Sequence, residues 1–132
     1  MPVTLRTLFL LTDIGFIAYW SLTAIVSVGW LHLPSEWLFK DYNDPNIIAW
    51  NWSFMPLDIL ASLTGLYAVA RASRNQDWQT TALISMTLTF CAGFMAICFW
   101  IVQGSFDLAW WGPNLFLMLW PLVMARHALG SV

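Results

Sequence analysis

The chain has 132 residues, of which 60% are hydrophobic and only 9% are charged. Soluble domains carry about 25% charged residues, and a chain this short cannot bury so large an apolar fraction, because its surface is large relative to its volume. The composition therefore excludes a soluble globular domain and predicts one integral membrane domain over residues 1–132. The net charge of −2 is too small to favour a nucleic-acid partner, and we expect none.

Four segments are long and apolar enough to cross the hydrocarbon layer, which takes about 20 residues. Because backbone groups in a bilayer must bond within their own segment, the sequence predicts an all-α, four-helix transmembrane bundle. The predicted helices cover about residues 7–28, 46–70, 80–102 and 108–125. Asp44 and Pro45 are a typical start for the second helix, Asp77 can cap the third, and Gly104 can end it.

The basic residues predict the orientation of this bundle. Four of the five lie at the N-terminus, in the second connection or at the C-terminus: Arg6, Arg71, Arg74 and Arg126. Lys40, the fifth, lies in the first connection. The positive-inside rule then predicts that both termini are cytoplasmic.

The first connection, residues 29–44, is the only long one, and it mixes tryptophan, leucine and phenylalanine with acids. We expect it to lie in the outer membrane interface, with a short helix beginning at Pro34-Ser35-Glu36. Asp41, Asn43 and Asp44 lack the spacing and the glycine of an EF-hand calcium loop. Turn and cap chemistry therefore explains these three residues better than a metal site.

Two carboxyl groups, Asp13 and Asp58, fall inside predicted spanning helices. Each costs about 2.5–3.5 kcal/mol near the centre of a membrane helix, whereas a leucine returns only about 0.3–0.6 kcal/mol. Such acids normally face the bundle interior and indicate a functional site. The rise of 1.5 Å per residue separates their depths by roughly 10 Å, which predicts two separate polar stations rather than a proton-sharing pair.

The same rise predicts which residues surround each acid. At the depth of Asp58 lie Trp20, Asn114 and Thr89 or Cys91; at the depth of Asp13 lie Ser85, Thr64 and Trp120. Asn51 precedes Asp58 by seven residues and shares its helix face. Pro56 removes one helical amide and releases the carbonyl of Trp52, so the second helix should bend just above Asp58.

A purely structural interpretation of these acids stays open. A protonated Asp58 bonded to Asn114 or to an indole would link helices, and Asp13 would reach the near interface. The chain has no Gly-rich phosphate loop, nucleophile elbow, HExxH or CxxC motif. We therefore predict no catalytic residue, no metal ligand and no cofactor, and an enzyme is the least favoured class.

The segments FLLTDIGFIAYW, FKDYNDPNIIAWNWSFMPLD and ALISMTLTFCAGFMAICFW resemble the YvaD-like family of small four-helix bacterial membrane proteins of unknown function. The resemblance covers roughly Leu8 to Trp100, and it implies a bacterial plasma membrane location and no particular activity. A fainter, fold-level likeness is to bundles of the emopamil-binding and sigma-2-receptor type, whose members bind sterols or amphiphilic amines in an intramembrane cavity.

Three functions fit these patterns. The first is binding of a lipid or an amphiphilic cation in a cavity lined by Trp20, Trp52, Phe54 and Met55, with Asp58 as anchor. The candidate ligand-binding residues are Asp58, Asp13, Asn51, Trp20, Trp52 and Asn114. The second is a proton- or cation-coupled transporter acting as a homodimer, with Asp13 and Asp58 as stations. The third is an accessory subunit whose small-residue faces, Ala61-x-x-x-Gly65 and Ala92-x-x-x-Ala96, contact a larger membrane protein.

Overall fold

The structure is a computed structural model that describes residues 1–34 and 41–130. Within these ranges the helices are α1 Val3–Ser27, α2 Pro45–Ser53, α3 Met55–Ser73, α4 Gln79–Gln103 and α5 Leu108–Leu129. Since α2 and α3 follow each other as one span, four stretches are long and apolar enough to cross a membrane. The predicted all-α, four-helix architecture is confirmed. Lys40 and most of the predicted short helix at Pro34-Ser35-Glu36 lie outside the described residues.

The helices extend beyond the limits predicted from their apolar stretches. The first begins at Val3 rather than at residue 7, and the last ends at Leu129 rather than at residue 125. Helical hydrogen bonding continues through polar residues such as Arg6 and Arg126, whose side chains reach water beyond the hydrocarbon. Hydropathy therefore marks the part of each helix that suits lipid, and not the whole helix.

The predicted helix ends are confirmed. The Asp44 side chain accepts a hydrogen bond from the backbone N–H of Asn46 at 2.7 Å, and Gly104 ends α4 with φ +69°. The Asp77 side chain accepts from the first amide of α4. Asp41 has φ +59°, and its carbonyl accepts from the N–H of Asp44 at 2.9 Å. The acids of the first connection thus perform the predicted turn and cap chemistry.

The second span is broken at Phe54, as predicted from Pro56. The proline occupies the second position of α3 and has no N–H to offer to the carbonyl of Trp52. The chain makes a tight turn here, in which the N–H of Phe54 bonds to the carbonyl of Asn51 at 3.1 Å. The break places Asp58 in the first turn of a new helix, where the helix dipole favours negative charge.

The helices pack in the order α1, α3, α4, α5, and α1 meets α5 at few places. The backbone of α5 approaches that of α4 closely at Gly93. A Cβ atom at this position would lie 2.5 Å from the carbonyl oxygen of Asn114 and 2.7 Å from the backbone nitrogen of Met118. The missing side chain therefore allows the two backbones to come together, as small residues do in membrane bundles.

Packing differs between the two halves of the bundle. The terminal half, which carries both chain termini and the 74–78 connection, holds a continuous buried cluster that includes Leu5, Phe9, Val69, Met86, Trp120 and Met124. The distal half, at the opposite end, has a smaller buried cluster around Phe16, Ala61 and Ala92. The rings of Phe9 and Trp120, 5.4 Å apart, join α1 to α5 in the terminal half.

We expect Gly93→Ala to lower the free energy of unfolding by about 1–3 kcal/mol, because the added methyl group meets backbone atoms of α5 that cannot move independently. Reversible unfolding by SDS titration in detergent micelles measures this change. Gly112→Ala is the matched control, since a Cβ there meets nothing within 4 Å. Equal stability of both variants would contradict the close approach of α4 and α5.

Candidate functional site

The distal half encloses a cavity of about 300 Å³ between all five helices. Its volume is at the lower end of the range for small-molecule sites, about 300–1,000 Å³. Much of its wall is aromatic, formed by Phe16, Tyr19, Trp20, Trp50, Phe54, Trp100, Trp110 and Phe116. Aromatic rings from α1, α2, α4 and α5, and from Phe54 between α2 and α3, therefore surround the space.

Asp58 is the acid of this cavity, and it is only 5% exposed. Its Oδ2 accepts a hydrogen bond from the indole Nε1 of Trp20 at 2.8 Å. Its Oδ1 has no hydrogen-bond partner among residues 1–34 and 41–130. One carboxyl oxygen is thus held by α1, and the other remains able to accept from a bound molecule.

The structure confirms the predicted proximity of Trp20 to Asp58. Asn114 also lines the cavity, but its side-chain nitrogen donates to the carbonyl of Trp110 at 2.8 Å. The donor to Asp58 is therefore the indole, and Asn114 contributes a polar group to another part of the wall.

A second polar pair joins α1 to α2 at the cavity. The hydroxyl of Tyr19 donates to Oδ1 of Asn51 at 3.1 Å, and both residues line the cavity. The ring of Trp20 contacts that of Tyr19 on one side and that of Trp52 on the other, at 5.0 and 5.6 Å between centroids. The indole that holds Asp58 is therefore itself held in place by two further rings.

Four of the six predicted ligand-binding residues, Asp58, Trp20, Asn51 and Asn114, line the cavity. Trp52 contacts Trp20 without lining the cavity, and Met55, predicted as part of the wall, does not line it either. The residues of this span that do line the cavity are Asn51, Phe54 and Asp58, at the i, i+3 and i+7 spacing of one helix face. The wall is formed by that face, and Trp52 and Met55 lie beside it.

Asp13, the other predicted residue, lies outside this cavity. It is fully buried against Gly65, and a Cβ on that glycine would lie 2.1 Å from Asp13 Oδ2 and 2.8 Å from Ser85 Oγ. The predicted proximity of Ser85 is confirmed. Neither carboxyl oxygen of Asp13 has a hydrogen-bond partner in the described part of the chain. The two acids thus have separate surroundings.

The small-residue faces proposed as contacts for a larger partner are used within the bundle. Ala61 is fully buried, and Ala92 and Ala96 are 3% and 6% exposed. The side chain of Asp13 packs against Gly65. The chain's own helices therefore occupy these faces, and contact with a larger membrane protein stays a prediction.

Sequence reasoning missed several wall residues: Thr12, Phe16, Tyr19, Trp50, Trp100 and Trp110. For Thr12 and Phe16 a signal was present, since they precede Trp20 by eight and four residues and therefore share its helix face.

The cavity has a mouth between α1 and α5. Leu11 and Gly15 of α1 and Pro113 and Phe116 of α5 line the cavity and are also exposed on the outside of the bundle. This side of the bundle would face acyl chains in a membrane. The two helices are joined in the terminal half by the rings of Phe9 and Trp120, and they meet at few places overall.

The fold and the site together define a small, multi-pass, α-helical membrane protein with an aromatic intramembrane cavity. Residues 5–131 match the family of unknown function DUF5360, and the chain belongs to this family. It is 48% identical over 119 residues to the uncharacterized protein YvaD of Bacillus subtilis (strain 168), which covers 89% of this chain and 86% of that protein. The resemblance noted from the sequence is thus confirmed. No solved structure matches the chain.

We expect Gly65→Ala to destabilise the protein by about 1–3 kcal/mol, because the new methyl group would overlap the carboxyl of Asp13. SDS-induced unfolding in micelles measures the loss. The double variant Asp13→Ala/Gly65→Ala should recover most of it. If the double variant is no more stable than Gly65→Ala alone, Asp13 does not occupy the space beside Gly65.

Proposed function

We propose that this protein binds an amphiphilic cation from the lipid bilayer, with its charged head group at Asp58 and its apolar body against the aromatic wall. One observation carries the proposal: Asp58 is nearly fully buried, lines an aromatic cavity, and has one carboxyl oxygen bonded to Trp20 and the other without a partner among the described residues.

Electrostatics supports a cationic head group. A buried carboxylate is costly unless it is paired and hydrogen-bonded, and Trp20 supplies only one neutral donor. A protonated amine would supply the opposite charge and a second donor. Ring faces attract cations within about 6 Å, so the surrounding tryptophans would add to the binding.

The mouth between α1 and α5 supports a ligand that partitions into lipid. A molecule in the hydrocarbon layer reaches the exposed lining residues Leu11, Gly15 and Phe116 without first entering water. An apolar body with a cationic end suits both the route and the wall. As part of the same proposal, the termini are cytoplasmic and the membrane is the bacterial cell membrane.

The position of Asp13 supports binding in preference to the transport alternative. A transporter that uses both acids needs a path between them, whereas Asp13 is enclosed by Gly65 and Ser85 and is not part of the cavity wall. The burial of the small-residue faces likewise removes the feature that suggested an accessory subunit.

The proposal is tested by titrating octylamine, and separately octanol, into nanodiscs that contain the protein, with protein-free nanodiscs subtracted. We expect Asp58→Asn to weaken octylamine binding at least about tenfold, because it removes a charge-assisted hydrogen bond. Octanol binding should change little.

Asp13→Asn is the matched control, since it alters a buried acid that does not line the cavity. Octylamine should bind to this variant with the same affinity as to the parent protein. Unchanged affinity of Asp58→Asn for octylamine would contradict the proposal. So would equal losses in both variants, which would indicate a general effect on the fold.

Access through the mouth is tested by Gly15→Phe. A Cβ atom added here meets nothing within 4 Å, so a side chain can leave the helix at this position, and the ring of phenylalanine should narrow the opening. We expect octylamine to associate several-fold more slowly with this variant. Stopped-flow tryptophan fluorescence measures the association rate. Ala18→Phe is the control on an exposed α1 position away from the cavity, and an equal effect there would argue against entry at Gly15.

A further inference from the structure

A second residue of the cavity wall carries a buried polar atom without a hydrogen-bond partner among the described residues. Thr12 lines the wall, is 5% exposed, and its Oγ1 bonds to no group in the described residues. Four other threonine hydroxyls donate to the backbone carbonyl four residues earlier. They are those of Thr7, Thr23, Thr64 and Thr87. This internal bond is the usual way for a helix to satisfy a threonine in an apolar environment.

The helical rise of α1 separates Thr12 from the part of the cavity that holds Asp58. Thr12, Phe16 and Trp20 are spaced by four residues along one face of α1, and all three line the wall. Eight residues of helix rise roughly 12 Å, which separates Thr12 from the residue that donates to Asp58. The stretch between them is apolar, with Phe16 from α1 and Leu117 from α5.

We propose that Thr12 is a second anchor of the same cavity, which hydrogen-bonds to a neutral oxygen at the far end of the ligand. The ligand class is then a chain-like amphiphile with an ammonium group at Asp58 and a hydroxyl or carbonyl oxygen at Thr12. This inference rests on the proposed function and narrows it.

The arrangement at Asp58 also selects the head group. Trp20 already donates to Oδ2, whereas Oδ1 has no partner among the described residues, so a ligand donor meets less competition at Oδ1. A guanidinium binds a carboxylate best through two parallel hydrogen bonds, for which both oxygens are needed. An ammonium needs one acceptor and therefore fits this carboxyl better.

The test compares 8-amino-1-octanol with octylamine in nanodiscs, which differ only in the terminal hydroxyl. The ratio of their dissociation constants is measured for the parent, for Thr12→Val and for Thr89→Val. Comparing ratios between variants cancels the different partitioning of the two compounds into lipid. Thr89 is the matched control, because it is fully buried and its hydroxyl has no partner among the described residues, but it does not line the cavity.

We expect Thr12→Val to weaken 8-amino-1-octanol relative to octylamine about fivefold, the size of one neutral hydrogen bond, and Thr89→Val to leave the ratio unchanged. For 4-amino-1-butanol, which is too short to join the two anchors, Thr12→Val should have no effect.

An unchanged ratio in Thr12→Val, while octylamine still depends on Asp58, overturns the second anchor and leaves the proposed function standing. Equal changes in Thr12→Val and Thr89→Val overturn it as well. Octylamine binding that is absent from the parent, or indifferent to Asp58→Asn, overturns the proposed function and this inference together.

Discussion

The hydrogen bond from Trp20 to Asp58 joins α1 to α3 at the depth where the second span is broken. A carboxyl group inside a membrane helix costs about 2.5–3.5 kcal/mol, and one interhelical hydrogen bond in a bilayer returns only about 0.6 kcal/mol. The bond therefore positions Asp58 but does not offset its burial. The shortfall is an argument that the acid is kept for its contacts with a ligand rather than for stability.

The rest of the bundle stabilises the fold despite the cost of burying Asp58. The terminal half has a continuous buried cluster, with Phe9 against Trp120 closing the gap between the first and last helices. The distal half can then remain less densely packed, because the chain is already held together elsewhere. Aromatic rings replace close aliphatic packing there, and they leave the space that the cavity occupies.

The sequence predicted the features that depend on distance along the chain. The constant rise of a helix put Trp20 at the depth of Asp58 and Ser85 at that of Asp13, and the missing amide of Pro56 predicted the break. Rotation about the helix axis was predicted correctly for Asn51 and Asp58, which share one helix face and both line the cavity. Trp52 and Met55 were also placed in the wall and are not there, because residue spacing alone does not define the limits of a cavity.

The sequence also could not show which helix packs against a given helix face. A row of small residues such as Ala61 and Gly65 indicates that some helix comes close, but it carries no information on whether that helix belongs to the same chain. The position of Thr12 illustrates a related point. Its spacing from Trp20 is visible in the sequence, whereas the lack of a partner for its hydroxyl is a property of the folded bundle.

The mouth is asymmetric with respect to the two lipid leaflets. Leu11 and Gly15 lie near the middle of α1, and Pro113 lies near the distal end of α5, so the opening extends from the bilayer centre toward one surface. Toward the other surface the same pair of helices is sealed by the ring contact of Phe9 and Trp120. Under the proposed function, the cavity would consequently be in contact chiefly with a single monolayer, whose composition would decide which molecules arrive at the carboxyl group.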